Sequence, residues 1–152
     1  MMSVPSPASP DSVPVPGGSG GNSTPAHRPT FLFVDDDEAL RYALERAFER
    51  DGRFHLVLDE SVESALKLAE TTHFDLAILD IRLNGRTGAE LAWKLRQMRP
   101  GMPIIALSAD LSNWDKDDLI DIGFNEVVEK PIDFQQFLTL IERYLPSTDH
   151  VA

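Results

Sequence analysis

Short apolar runs alternate along the chain with segments in which apolar residues recur every three or four positions. The runs are 31–34 (Phe31, Leu32, Phe33, Val34), 54–58, 76–79 (Leu76, Ala77, Ile78, Leu79), 103–107 and 126–129. A short apolar run bounded by polar residues suits a strand buried on both faces of a parallel sheet. Between them, Leu40, Ala43, Leu44, Ala47 and Phe48 sit at helical spacing on a helix that closes near Asp51 and Gly52. Ser61 caps a second helix with Val62, Ala65, Leu66 and Ala69 as its buried stripe. After a loop at 83–88 with two glycines, a third helix carries Ala89, Leu91, Ala92, Leu95 and Met98 inward and ends at Pro100 and Gly101. The fourth helix is the weakest, because four aspartates crowd Leu119, Ile120 and Ile122; it is expected to be short and mobile. Asp133, with Gln136 three residues on, caps a fifth helix that buries Phe134, Phe137, Leu138, Ile141 and Leu145. Alternation of five strands with five helices predicts an α/β fold, a doubly wound parallel sheet with helices on both faces.

Composition sets the borders of that domain. Residues 1–29 hold seven of the 11 prolines and four of the nine glycines and almost no large apolar side chains, so they read as a disordered Pro/Gly/Ser-rich tail. The domain is expected at 30–147, with a short C-terminal tail at 148–152 and no effector domain. Neither a signal peptide nor a transmembrane span is legible, which predicts no membrane insertion. The formal net charge is -11, and Asp11 and Arg28 cancel within the N-terminal tail, so all of it lies beyond that tail. Such an acidic surface opposes direct DNA binding and suits a cation site or a basic protein partner. The absence of cysteine excludes disulfides and thiol chemistry and is consistent with a cytoplasmic location.

A parallel sheet gathers the carboxyl ends of its strands on one edge, where α/β proteins place their chemistry. That edge receives Asp35 and Asp36, Asp80, Ser108 and Lys130. Three convergent carboxylates repel and raise one another's pKa values, a conflict that Mg²⁺ resolves while keeping room for water and phosphate oxygens. Asp80 could then attack a phosphoryl group in line, with Lys130 and Ser108 stabilising the equatorial oxygens.

These residues make the chain resemble the receiver domain of two-component response regulators. The resemblance covers 31–145 and rests on Val34, Asp35 and Asp36 after the first strand, Asp80 with Gly88 eight residues later, Leu107, Ser108 and Ala109 after the fourth, and Lys130 and Pro131 after the fifth. It implies a flavodoxin-like five-stranded sheet in the order 2-1-3-4-5. It also implies a signalling module, not an enzyme, phosphorylated on Asp80 by a sensor histidine kinase or phosphotransfer protein. Asp35, Asp36, Asp80 and the backbone carbonyl of Arg82 would hold Mg²⁺, Ser108 would be the switch hydroxyl, and Lys130 would bind the phosphate. Output would pass to an unidentified downstream protein, by phosphorylation-dependent binding or phosphorelay.

The chain departs from the family at Asn84, where proline is usual, and at Val127, which replaces the switch aromatic. Asp37 matches no motif position and reads as a solvated turn residue. Arg82 and Asp110, each two residues beyond a site residue, are expected to face each other at the rim, and Trp114 to be a partly buried packing residue. Two alternatives stay open: a receiver-like interaction module that never takes phosphate, and a dehalogenase-type phosphohydrolase with Asp35 as nucleophile.

Overall fold

In a computed structural model, which describes residues 28–83 and 85–145, the five apolar runs form one parallel sheet. Its strands are β1 (Thr30–Val34), β2 (His55–Asp59), β3 (Leu76–Asp80), β6 (Ile104–Ser108) and β7 (Glu126–Glu129). The order is β2-β1-β3-β6-β7, which is 2-1-3-4-5 once a two-stranded hairpin, β4 (Arg82–Leu83) with β5 (Arg86–Thr87), is set aside. Residues 1–27 of the predicted 1–29 tail, the predicted C-terminal tail at 148–152, residues 146–147 and Asn84 lie outside the described residues.

Alternating strand residues feed two cores, the period-2 geometry expected of strands covered on both faces. Phe31, Phe33, Leu76, Ile78, Ile105 and Leu107 pack against α1 (Glu38–Asp51) and α5 (Phe134–Tyr144). Leu32, Val34, Ala77, Leu79, Ile104 and Ala106 pack against α2 (Val62–Thr71), α3 (Gly88–Met98) and α4 (Lys116–Ile122). Each large side chain so buried stabilises the fold by about 1.5–3 kcal/mol. The switch in helix side between β1 and β3 opens a crevice at their carboxyl ends.

The helix ends follow the predicted chemistry. Ser61 accepts from the Ser64 N–H at 3.1 Å, and Asp133 and Gln136 form a reciprocal capping box with both bonds at 2.8 Å. Helix α4 has seven residues and buries only Leu119, while Ile120 stays 46% exposed. Leu140 is buried beside the predicted α5 stripe, and Phe134 is only half-buried.

Two expectations need correction. Residues 83–88 do not form a plain loop: Arg82 pairs with Thr87 and Leu83 with Arg86 in the β4–β5 hairpin, whose turn uses Gly85 at φ 81°. Asp37 is not merely a solvated turn residue, because its Oδ1 caps α1 by accepting from the Leu40 N–H at 3.2 Å.

Arg96 joins three element ends. Its guanidinium donates to the carbonyls of Arg99, Pro100, Met102 and Gly123 and to Asn125 Oδ1, at 2.6 to 3.3 Å. All five acceptors are neutral, and burial holds the Arg96 pKa below its ordinary value.

Candidate functional site

The carboxyl ends of β1, β3, β6 and β7 bring the sequence-predicted residues to one place. Asp35 is fully buried, Asp80 is 8% exposed and Ser108 4%, whereas Asp36 faces solvent. Carboxylate oxygens of Asp35, Asp36 and Asp80 lie within 4.8 Å of one another. Lys130 reaches in from the end of β7, its Nζ donating to Asp35 Oδ2 and Asp80 Oδ2, each at 2.8 Å. The peptide that follows it, to Pro131, is cis.

Backbone donors fix the other oxygens. The Asp37 N–H donates to Asp35 Oδ1 at 2.9 Å, and the Arg82 N–H donates to Asp80 Oδ1 at 3.0 Å. Three consecutive aspartates therefore have three fates: Asp35 is buried under Lys130, Asp36 stands at the open side of the cluster, and Asp37 caps the helix. Arg41, which sequence reasoning missed, anchors this turn by donating to the Asp35 carbonyl at 2.6 Å and to Glu60 at 3.4 Å. Only its place one turn into α1 could have hinted at that.

Gly88 has a steric reason to be glycine. A Cβ there would lie 2.1 Å from the Asp80 carbonyl oxygen, because the start of α3 packs directly on the backbone of Asp80. The Gly88 N–H also donates to the Ile81 carbonyl at 2.6 Å.

The electrostatics follow from this packing. Burial pushes the Asp35 carboxyl above its usual range, against the lowering effect of bonds from Lys130 and the Asp37 N–H, and the nearby Asp80 charge pushes the same way. Burial by itself would lower Lys130, but its bonds to Asp35 and Asp80 outweigh it and hold the ammonium above its ordinary value. One lysine thus stands between two carboxylates in a partly dehydrated pocket, an arrangement ready for additional positive charge and for an anion.

At the rim, Ser108 Oγ accepts from the Asp110 N–H at 3.2 Å. The Asp110 carboxylate is taken up by the Ser112 N–H and hydroxyl and by the Asn113 side chain, at 3.0, 2.5 and 2.9 Å. Its bonds from Ser112 hold its pKa below the usual range, and Arg82 contributes a smaller charge attraction. The expected facing pair is therefore an electrostatic neighbourhood, with the carboxylate's hydrogen bonds going to the turn. Trp114 is half-buried against the α2–α3–α4 core, as is Val127, which is paired with Ala106 in the sheet.

A family profile for the response regulator receiver domain matches residues 31–142. The chain belongs to that family. Among curated relatives of this receiver domain, the alkaline phosphatase synthesis transcriptional regulatory protein PhoP of Bacillus subtilis is 35% identical over 100 residues, covering 66% of this chain and 41% of PhoP. The transcriptional regulatory protein AfsQ1 of Streptomyces coelicolor is 34% identical over 104 residues, 68% of this chain and 45% of its own length. The chain thus spans less than half the length of these two regulators. A CheY-like receiver domain protein from Methanospirillum hungatei superposes with a TM-score of 0.71 at 26% identity, covering 83% of this chain and all of its own. The response regulator TrrA of Thermotoga maritima, solved in complex with Mg²⁺–BeF, gives a TM-score of 0.67 at 29% identity, covering 77% of this chain and 99% of its own. Among the described residues of this receiver domain, no helix is long and apolar enough to cross a membrane.

Proposed function

We propose that this receiver domain accepts a phosphoryl group on Asp80 from a sensor histidine kinase or phosphotransfer protein, with Mg²⁺ as cofactor. It would signal to a protein target by phosphorylation-dependent binding or phosphorelay. The observation that carries this reading is Lys130 Nζ held 2.8 Å from both Asp80 Oδ2 and Asp35 Oδ2 beside an open acidic rim.

The donor set fits the cation. Asp35, Asp36 and Asp80 already place carboxylate oxygens within 4.8 Å of one another, and a convergent set of hard anionic oxygens is the donor chemistry Mg²⁺ takes. Asp35, Asp36 and Asp80, with the Arg82 carbonyl, would hold the ion, which when bound supplies positive charge to the phosphoryl oxygens. The Asp80 carboxylate forms the new O–P bond as the P–N bond to the donor imidazole breaks and its electron pair returns to the ring. Lys130 then stands beside a phosphoryl oxygen, and the Ser108 hydroxyl, at the end of the neighbouring strand, donates to another. Asp35 and Asp80 each place one oxygen on Lys130 and the other on a backbone N–H, but Asp35 is fully buried whereas Asp80 keeps 8% exposure, which favours Asp80 as the group a donor reaches.

Intact mass after incubation with Mg²⁺ and acetyl phosphate tests the reading. The wild type is expected to gain one phosphoryl group, mapped to Asp80, and Asp80→Asn to gain none. A label on Asp35 would establish the phosphohydrolase reading instead. An unchanged mass, both with acetyl phosphate and with a cognate kinase, would leave an interaction module that takes no phosphate.

A further inference from the structure

The β4–β5 hairpin carries the backbone of Arg82, whose N–H fixes Asp80 Oδ1 at 3.0 Å. Its own ladder has only two residue pairs, so its placement depends on what holds it from outside. Leu83 provides an apolar anchor at 2% exposure, and Thr87 caps α3 by accepting from the Glu90 N–H at 3.2 Å. The Gly88 N–H closes the base of the hairpin on the Ile81 carbonyl at 2.6 Å, and a further attachment is Arg86. Its Nη1 lies 2.8 Å from Glu63 Oε2 on α2, while Nε and Nη2 reach Glu90 Oε1 and Oε2 on α3 at 3.2 and 2.5 Å. A single guanidinium thus bridges the hairpin to both flanking helices, and Lys94 steadies Glu90 from the next turn at 3.5 Å.

We infer that Arg86 is a positioning residue of the Asp80 site, clamping the hairpin to Glu63 and Glu90 so that the Arg82 backbone stays aimed at the acidic cluster. The inference rests on the proposed Mg²⁺-dependent acceptor function. Arg86 touches none of the reacting groups; it acts through Arg82. Guanidinium geometry matters here, since a lysine ammonium could meet one carboxylate but could not present the same planar fork to Glu90 while reaching Glu63.

The sign of the effect separates positioning from simple charge. Removing a cation near a metal site strengthens Mg²⁺ binding if only the field matters. Loss of a clamp weakens it. Calorimetric Mg²⁺ titration, phosphorylation rate by intact mass and thermal melting are to be compared for wild type, Arg86→Ala and Arg86→Lys. The expected result for R86A is Mg²⁺ affinity lower by about threefold to tenfold, the size that a network of partly exposed ion pairs can carry, with slower phosphorylation. R86K, which keeps the charge, is expected to fall part of the way. Unchanged or tighter Mg²⁺ binding by R86A would overturn the proposal, even if its melting temperature dropped. A wild type that binds Mg²⁺ but takes no phosphate would sink the acceptor reading while a weakened R86A would still support the clamp. A wild type that binds no Mg²⁺ would overturn both.

Discussion

Replacing Gly88 with alanine sets two physical effects against each other. Gly88 opens α3 without a left-handed φ, so helix propensity alone favours alanine by up to about 1 kcal/mol. Sterics say the opposite. The new Cβ would lie 2.1 Å from the Asp80 carbonyl oxygen, 3.0 Å from its carbonyl carbon and 3.2 Å from Ile81 Cα, whereas ordinary contact begins at 3.4 Å. Relief of the shortest contact requires 3.4 minus 2.1, or 1.3 Å, of separation between α3 and the backbone of Asp80, the proposed acceptor. Overpacking of this kind costs about 1–3 kcal/mol, and a displacement of about 1 Å at a reacting group can slow its chemistry about a hundredfold. Gly88→Ala is therefore expected to lower the urea midpoint and to slow phosphoryl uptake from acetyl phosphate by one to two orders of magnitude, roughly. Gly101→Ala is the control, since nothing lies within 4 Å of a Cβ there and its φ is ordinary; it should be neutral or slightly stabilising. A G88A protein as stable as wild type and phosphorylated at the wild-type rate would refute the steric argument.

Lys130→Met, studied in chelator, removes the shared partner of two buried carboxylates and should cost about 3–5 kcal/mol at neutral pH. Because burial pushes the folded Asp35 carboxyl above the ordinary carboxylate range, its protonated form favours the fold and stability is lost as pH rises through the folded value. K130M extends that loss to higher pH, and urea unfolding curves running parallel to wild type between about pH 5 and 8 would contradict this. In a Trp93→Phe background, Trp114 emission should change on adding Mg²⁺ and beryllofluoride, because the turn leading to Trp114 hangs from Ser108 Oγ through the Asp110 N–H; emission that stays constant while the site is filled would show the turn to be uncoupled.

The parallel sheet was legible because five apolar runs and five helical segments leave few ways to bury both faces of the strands, whereas its order came from the resemblance to receiver domains. The gathering of Asp35, Asp80, Ser108 and Lys130 follows from that topology. What the pattern could not carry is local geometry. The hairpin after Asp80 has two-residue strands, too short for alternation to register. Asp37 looked like one more acid in a run, because a cap differs from its neighbours only in φ, ψ and one bond to the Leu40 N–H. Arg86 meets Glu63 across 23 positions of sequence, and no spacing rule connects a hairpin arginine to the first turn of the preceding helix.

Arg96 gives α4 a fixed end. Its bonds to the Gly123 carbonyl and to Asn125 tie the helix's carboxyl terminus to α3 and to the entry of β7, and a Cβ added to Gly123, at φ 141°, would lie 3.3 Å from Arg96 Cβ. The other end begins at Asp115, a few residues from Ser108. A helix of this length is a rigid lever about 10 Å long. A push of about 1 Å arriving from the Ser108 side would turn it by roughly 6° about the Gly123 pivot instead of sliding it, tilting the outward face that carries Ile120.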